Sequence, residues 1–154
     1  MAALAGVALL PLGLSACVIV EGPTPVTPTR TPPPVPDPDE PPPVLVPDGD
    51  AGDNLPFFAQ VITDYAKGAQ PIEGRPIVDA IAAAGFDRRA MQVSFDRTKT
   101  NLVADSIYVS VRIGEECLLG QLVTATREIA VTEAAAVGPD KSICLIGNTR
   151  PIDW

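Results

Sequence analysis

Residues 91–113 read MQVSFDRTKTNLVADSIYVSVRI, and the period of their apolar positions decides the fold class. Met91, Val93 and Phe95 alternate with Gln92, Ser94 and Asp96. Ile107, Val109, Val111 and Ile113 alternate in the same way with Tyr108, Ser110 and Arg112. A period of two over residues rich in β-branched side chains predicts two half-buried antiparallel strands. The segment RTKTNLVAD, polar at its tip, joins them into a hairpin with one apolar face in need of cover.

That cover lies upstream. Leu55, Phe58, Ile62 and Tyr65 are spaced by three, four and three, which places them on one stripe of a helix. Asp53 or Asn54 is positioned to cap it, Pro56 falls in its opening turn, and Gly68 closes it. A second helix is predicted from about Pro76, with Ile77, Ile81 and Ala84 on one face. It stops at Gly85, with Phe86 placed to fold back as in a Schellman ending.

Downstream of the hairpin, Cys117-Leu118-Leu119-Gly120-Gln121 is echoed by Cys144-Leu145-Ile146-Gly147-Asn148. Both segments read as short strands. Their cysteines occupy corresponding positions, and in an exported domain the simplest pairing is a Cys117–Cys144 disulfide. Closing that loop contributes roughly 3.5 kcal/mol. Neither a CxxC redox motif nor four zinc ligands are present. Residues 122–142 read mostly as loop, although Ile129 and Val131 hint at a strand. The expected fold is α+β: two N-terminal helices on one face of a small antiparallel sheet of three to four strands, with one disulfide.

The third cysteine has a separate explanation. Residues 2–20 carry no charge, and Gly6, Pro11 and Gly13 break their apolar run, which suits a signal peptide better than a spanning helix. Leu14-Ser15-Ala16-Cys17 resembles the bacterial lipobox, in which cleavage precedes a cysteine whose nucleophilic thiol carries lipid. Residues 1–16 are therefore expected to be a lipoprotein signal peptide, with Cys17 as the lipidation site. Of 18 prolines, 12 lie between Pro23 and Pro47. Proline fixes φ and removes a backbone donor, so residues 17–50 are expected to form a lipidated N-terminus and a disordered, polyproline-like stalk. Thr24, Thr27, Thr29 and Thr31 could accept O-linked sugar there. Residues 51–154 are left as the folded domain. Asp48, Asp50 and Asp53 invite a calcium reading, but Asp53 and Ala59 occupy the EF-hand positions that need Gly and Glu.

Composition narrows function by exclusion. The 154 residues include no His, which removes Ser-His-Asp and Cys-His nucleophile systems and the HExxH zinc site. A net charge of −8 and no basic stripe argue against nucleic acid. Lys67, Lys99 and Lys141 sit in no SxxK motif. Glu115 and Glu116 are adjacent, so in extended chain they point to opposite faces and cannot act as a glycosidase pair. No catalysis, cofactor or metal is expected. The C-terminal NTRPIDW gathers the sole Trp with an Arg and two carboxylates, making Arg150, Asp153 and Trp154 a candidate partner site. The competing reading is that Ile152 and Trp154 close one end of the core while Arg150 pairs with an acid. Arg75, Arg88 and Arg89 read as solvated loop residues, the alternative being contact with wall-polymer anions.

PIVDAIAAAGFDRRAMQVSFD, ADSIYVSVRIGEECLLGQ and CLIGNTRPIDW together resemble uncharacterised actinobacterial lipoprotein domains of unknown function, over about residues 54–154. The resemblance implies a lipoprotein setting and supports pairing of Cys117 with Cys144; it brings no activity. The order of elements after a lipid anchor is also similar to small envelope lipoproteins with a β-lactamase-inhibitor-like fold, a likeness of fold only. The functional expectation is a lipoprotein, anchored to the outer face of the membrane, whose domain binds an envelope protein or cell-wall polymer. The alternatives are an accessory surface protein without a dedicated ligand and a carboxylate-based hydrolase.

Overall fold

A computed structural model describes residues 41–154. The lipobox, Cys17 and the greater part of the Pro-rich segment lie outside the described residues. Two helices, α1 (Ala51–Lys67) and α2 (Gly74–Ala83), precede four strands: β1 (Met91–Val93), β2 (Ser106–Ile113), β3 (Glu116–Val123) and β4 (Ile129–Ala135). The strands form one antiparallel sheet in the order β1-β2-β3-β4. The α+β class, the four-stranded sheet and the single disulfide agree with the sequence reading; the helices open the domain rather than the chain.

The helical stripe packs as its spacing predicts. Phe58 and Ile62 of α1 and Ile77 and Ile81 of α2 are fully buried against Ile107, Val109, Leu118 and Leu122 of the sheet. Phe86 meets Phe58 edge-on and Phe57 in a stacked arrangement, each with ring centroids 5.8 Å apart. It reaches them because α2 ends in the predicted Schellman motif. Gly85, at φ +111°, donates to the Ala82 carbonyl, and Phe86 donates to that of Ile81. In the β3–β4 turn, Arg127 donates through Nε and Nη2 to the Ala66 and Tyr65 carbonyls, covering the last turn of α1.

The start of α1 differs from the prediction. Asp50 is its N-cap and shares a capping box with Asp53, so the helix begins three residues before Asn54 and Pro56 falls beyond its first turn. These two carboxylates are thus engaged in helix initiation. Asn54 is buried and grips the incoming chain, its amide donating to the Val46 and Asp50 carbonyls and accepting from the Val46 N–H. Leu45 packs on the core. The last residues of the expected stalk therefore already belong to the folded unit.

The sheet also departs from expectation at three places. Phe95 lies beyond β1 and is exposed. The fourth strand is Ile129–Ala135, inside the segment read as loop. Cys144–Asn148 is not a strand: only Ile143 beside it forms an isolated bridge, to Val137.

Gly120 of β3 is a point of close approach between the sheet and α1. A Cβ there would sit 3.3–3.4 Å from Val109, Ile62 and Phe58. Gly120→Val is expected to overpack this junction and destabilise by about 1–3 kcal/mol, read as a lower urea midpoint at unchanged slope. An unchanged midpoint would contradict the packing.

Candidate functional site

Register fixes which residues face away from the helices. Gly120 meets Ile62 and Phe58, so Leu118 and Leu122 share the helical face, and Cys117, Leu119 and Gln121 lie on the other. Their cross-strand neighbours on that outer face are Tyr108 and Ser110 of β2, Gln92 of β1, and Ala130 and Thr132 of β4. An outer face of this kind would be expected to meet water. Here Cys117 and Ser110 are instead buried, because the chain after β4 crosses over them.

The crossing segment is held at successive points. Val137 and Ile143 exchange backbone hydrogen bonds in a small hairpin around Gly138, whose φ is +90°. Cys144 is then joined to Cys117, with S–S 2.00 Å and Cα–Cα 5.6 Å, as the sequence predicts. Gln92 clamps the same place: its Oε1 accepts from the N–H groups of Cys144 and Leu145, both at 2.9 Å, and its Nε2 donates to the Ser142 carbonyl at 3.0 Å. Past Gly147, at φ +118°, the chain reaches the far edge of the sheet, where the Arg150 N–H donates to the Val93 carbonyl. Residues 137–154 are thus a strap running from the β4 side to the β1 edge. The Ser110 hydroxyl beneath it has no hydrogen-bond partner among the described residues.

At its end the strap is stitched to α2 and to the chain after β1. The Trp154 indole N–H donates to Asp79 at 3.0 Å, and Arg88 pairs with the same carboxylate oxygen at 2.7 Å. Arg150 pairs with Asp96 at 2.7 Å, while the other Asp96 oxygen accepts from the Gly74 N–H at the start of α2. The guanidinium carbons of Arg150 and Arg75 lie 4.8 and 5.5 Å from the Trp154 ring centroid. Arg150 and Trp154 of the candidate partner site are therefore brought together, but their binding groups are turned inward; Asp153 is exposed and takes no part. Arg75 and Arg88, read as solvated, belong to this cluster. A lone Trp whose N–H needs an acceptor was the signal for such a partner, but nothing in the sequence selected Asp79. Glu115 lies in the β2–β3 turn and Glu116 opens β3, and both are exposed.

Between strap and sheet lies a groove of about 460 Å³. Its floor is formed by outer-face residues including Tyr108, Leu119 and Ala130, and one wall by Leu145 and Ile146 of the strap. Sequence reading missed it because Leu145 and Ile146 were assigned to a strand. Among the described residues no group of acidic, Cys or His side chains is arranged to hold a metal, and no helix is long and apolar enough to cross a membrane.

Residues 62–148, more than half the chain, match a family described as a domain of unknown function (DUF6993). The chain belongs to this family. The DUF6993 region begins within α1 and ends in the strap, so it takes in all four strands, both disulfide cysteines and most of the groove, and leaves out Arg150 to Trp154. No curated protein matches the chain, and neither does any solved structure.

Asp79 makes the docking of the tail sensitive to acid. Partial desolvation pushes its carboxyl up, but hydrogen bonds from Trp154 and Arg88, with the charges of Arg88 and Arg75, outweigh this and hold it below its ordinary value. A carboxyl depressed by folding stabilises above its unfolded value of about 4, and that contribution is lost as pH falls through the folded value. Asp79 is 44% exposed, so the effect is screened and modest. Trp154 is the only tryptophan, and its emission is expected to shift to the red below about pH 4 in the wild type. In Asp79→Asn it should be shifted already at neutral pH; identical emission profiles would contradict the docking.

Proposed function

We propose that the chain is an actinobacterial-type lipoprotein, processed before Cys17 and anchored by lipid on that cysteine at the outer face of the cell membrane. It presents a small disulfide-bonded DUF6993 domain as a non-catalytic binding module for an envelope protein or cell-wall component. The observation that carries the reading is the Cys117–Cys144 bond. Structural disulfides persist in oxidising compartments, and this one binds the strap to the sheet instead of serving a CxxC redox centre. Export through a signal peptide supplies that compartment, and Leu14-Ser15-Ala16-Cys17 supplies the anchor. Acyl chains contribute roughly 0.8 kcal/mol per buried methylene, so a diacylated Cys17 stays on the bilayer while the Pro-rich segment spaces the domain from it.

The binding surface in this reading is the groove beside the strap, because Arg150 and Trp154 are already satisfied within the domain. That internal use favours, for the tail alone, the second reading: Trp154 as a structural fastener with no ligand of its own.

Metabolic labelling with a clickable fatty acid tests the anchor. Label is expected on the wild type in the membrane fraction and absent from Cys17→Ser, which should remain unprocessed or be released. Equal labelling of the variant would contradict the proposal.

A further inference from the structure

The groove has a chemistry narrow enough to name its ligand. At about 460 Å³ it falls within the roughly 300–1,000 Å³ of small-molecule sites. None of its lining residues carries a formal charge at neutral pH, in a chain with 19 acidic and 11 basic residues. Two of its large side chains are open to solvent: Ile146 is 90% exposed and Tyr108 45%. Three of its polar side chains are engaged within the protein. Ser94 Oγ accepts from the Tyr108 N–H, the Gln121 amide donates to Ser106, and the Thr132 hydroxyl donates to the Glu133 carbonyl. Asn148 and Thr149, on the strap, and the Tyr108 hydroxyl, on the floor, are neutral lining groups without a partner among the described residues.

We propose that this groove binds one aliphatic chain of an uncharged amphiphile. The chain lies over Tyr108 and Leu119 against Ile146, and a hydroxyl-bearing head group meets Asn148 and Thr149. Charge selects the class. A carboxylate or phosphate head would find no counter-ion in the lining, and the chain's net charge of −8 repels anions. The inference rests on reading the domain as a binding module and is independent of the anchor.

The test uses the full chain carrying Cys17→Ser, with its disulfide confirmed by mass, and the uncharged fluorophore N-phenyl-1-naphthylamine as probe. Saturable enhancement is expected, displaced by dodecyl maltoside below its micellar concentration but not by maltose, and displaced more weakly by dodecyl sulfate. Ile146→Asp and Tyr108→Ser should each weaken probe binding by about tenfold or more. Both sites are exposed, and matched thermal midpoints establish that the variants fold. Leu102→Asp, also at an exposed apolar residue but outside the groove, should bind as the wild type does. Absence of saturable binding, equal loss in Leu102→Asp, or preferential displacement by dodecyl sulfate would overturn the ligand class. Because Cys17 is replaced throughout, any of these results leaves the fatty-acid labelling outcome for the anchor untouched.

Discussion

The covalent bond between Cys117 and Cys144, with the three hydrogen bonds of Gln92 beside it, joins the strap to the outer face of the sheet. A four-stranded sheet with helices on one face has its other face available to solvent, and here that face would expose Leu119 and Tyr108 together. The strap converts it into a second, thinner layer. Cys117 and Ser110 become buried, and Leu145 and Ile146 are set opposite the sheet to shape the groove. The crosslink closes a 27-residue separation, for which loop closure contributes roughly 3.5 kcal/mol. That is a large share of the about 5–15 kcal/mol by which small domains are stable. The Arg150–Asp96 and Trp154–Asp79 contacts beyond it are part-exposed, and bonds of that kind fix direction more than they add stability.

On the helical face the structure follows from periodicity. Phe58, Ile62, Ile77 and Ile81 point where a 3.6-residue repeat puts them, and Ile107, Val109 and Val111 where a two-residue repeat does. Those elements were readable because each has one buried face and one exposed face. β4 was not, since Ile129–Ala135 is almost wholly exposed and ends in alanines, so its hydrogen-bonded ladder to β3 leaves little trace in side-chain pattern. The start of α1 was misplaced for a related reason. Asp50, Asp53 and Asn54 are all good caps, and only the geometry assigns the cap to Asp50 and the grip on Val46 to Asn54.

The CLLGQ and CLIGN echo identified the disulfide partners but misled about their conformations. In β3 the glycine makes room for Val109, Ile62 and Phe58; in the strap Gly147 adopts φ +118° with open space around it. Similar letters thus serve two different backbone needs. The candidate site was legible only in part: Arg150 and Trp154 could be singled out as energetically rich, but their consumption by Asp96 and Asp79 and the groove beside them depend on the strap's path, which is set by long-range contacts. Locally the sequence marks that path only through the two cysteines and the turn glycines Gly138 and Gly147.

Amide hydrogen exchange on the chain, oxidised and then reduced, bears most directly on the strap. In the oxidised protein the N–H groups of Cys144 and Leu145, bonded to Gln92, and of Arg150, bonded to Val93, should be protected together. Reduction should release these three amides while those of the β2–β3 ladder keep most of their protection. Free thiols in the purified exported protein, or amides at 144, 145 and 150 that exchange freely while the disulfide is intact, would contradict the account.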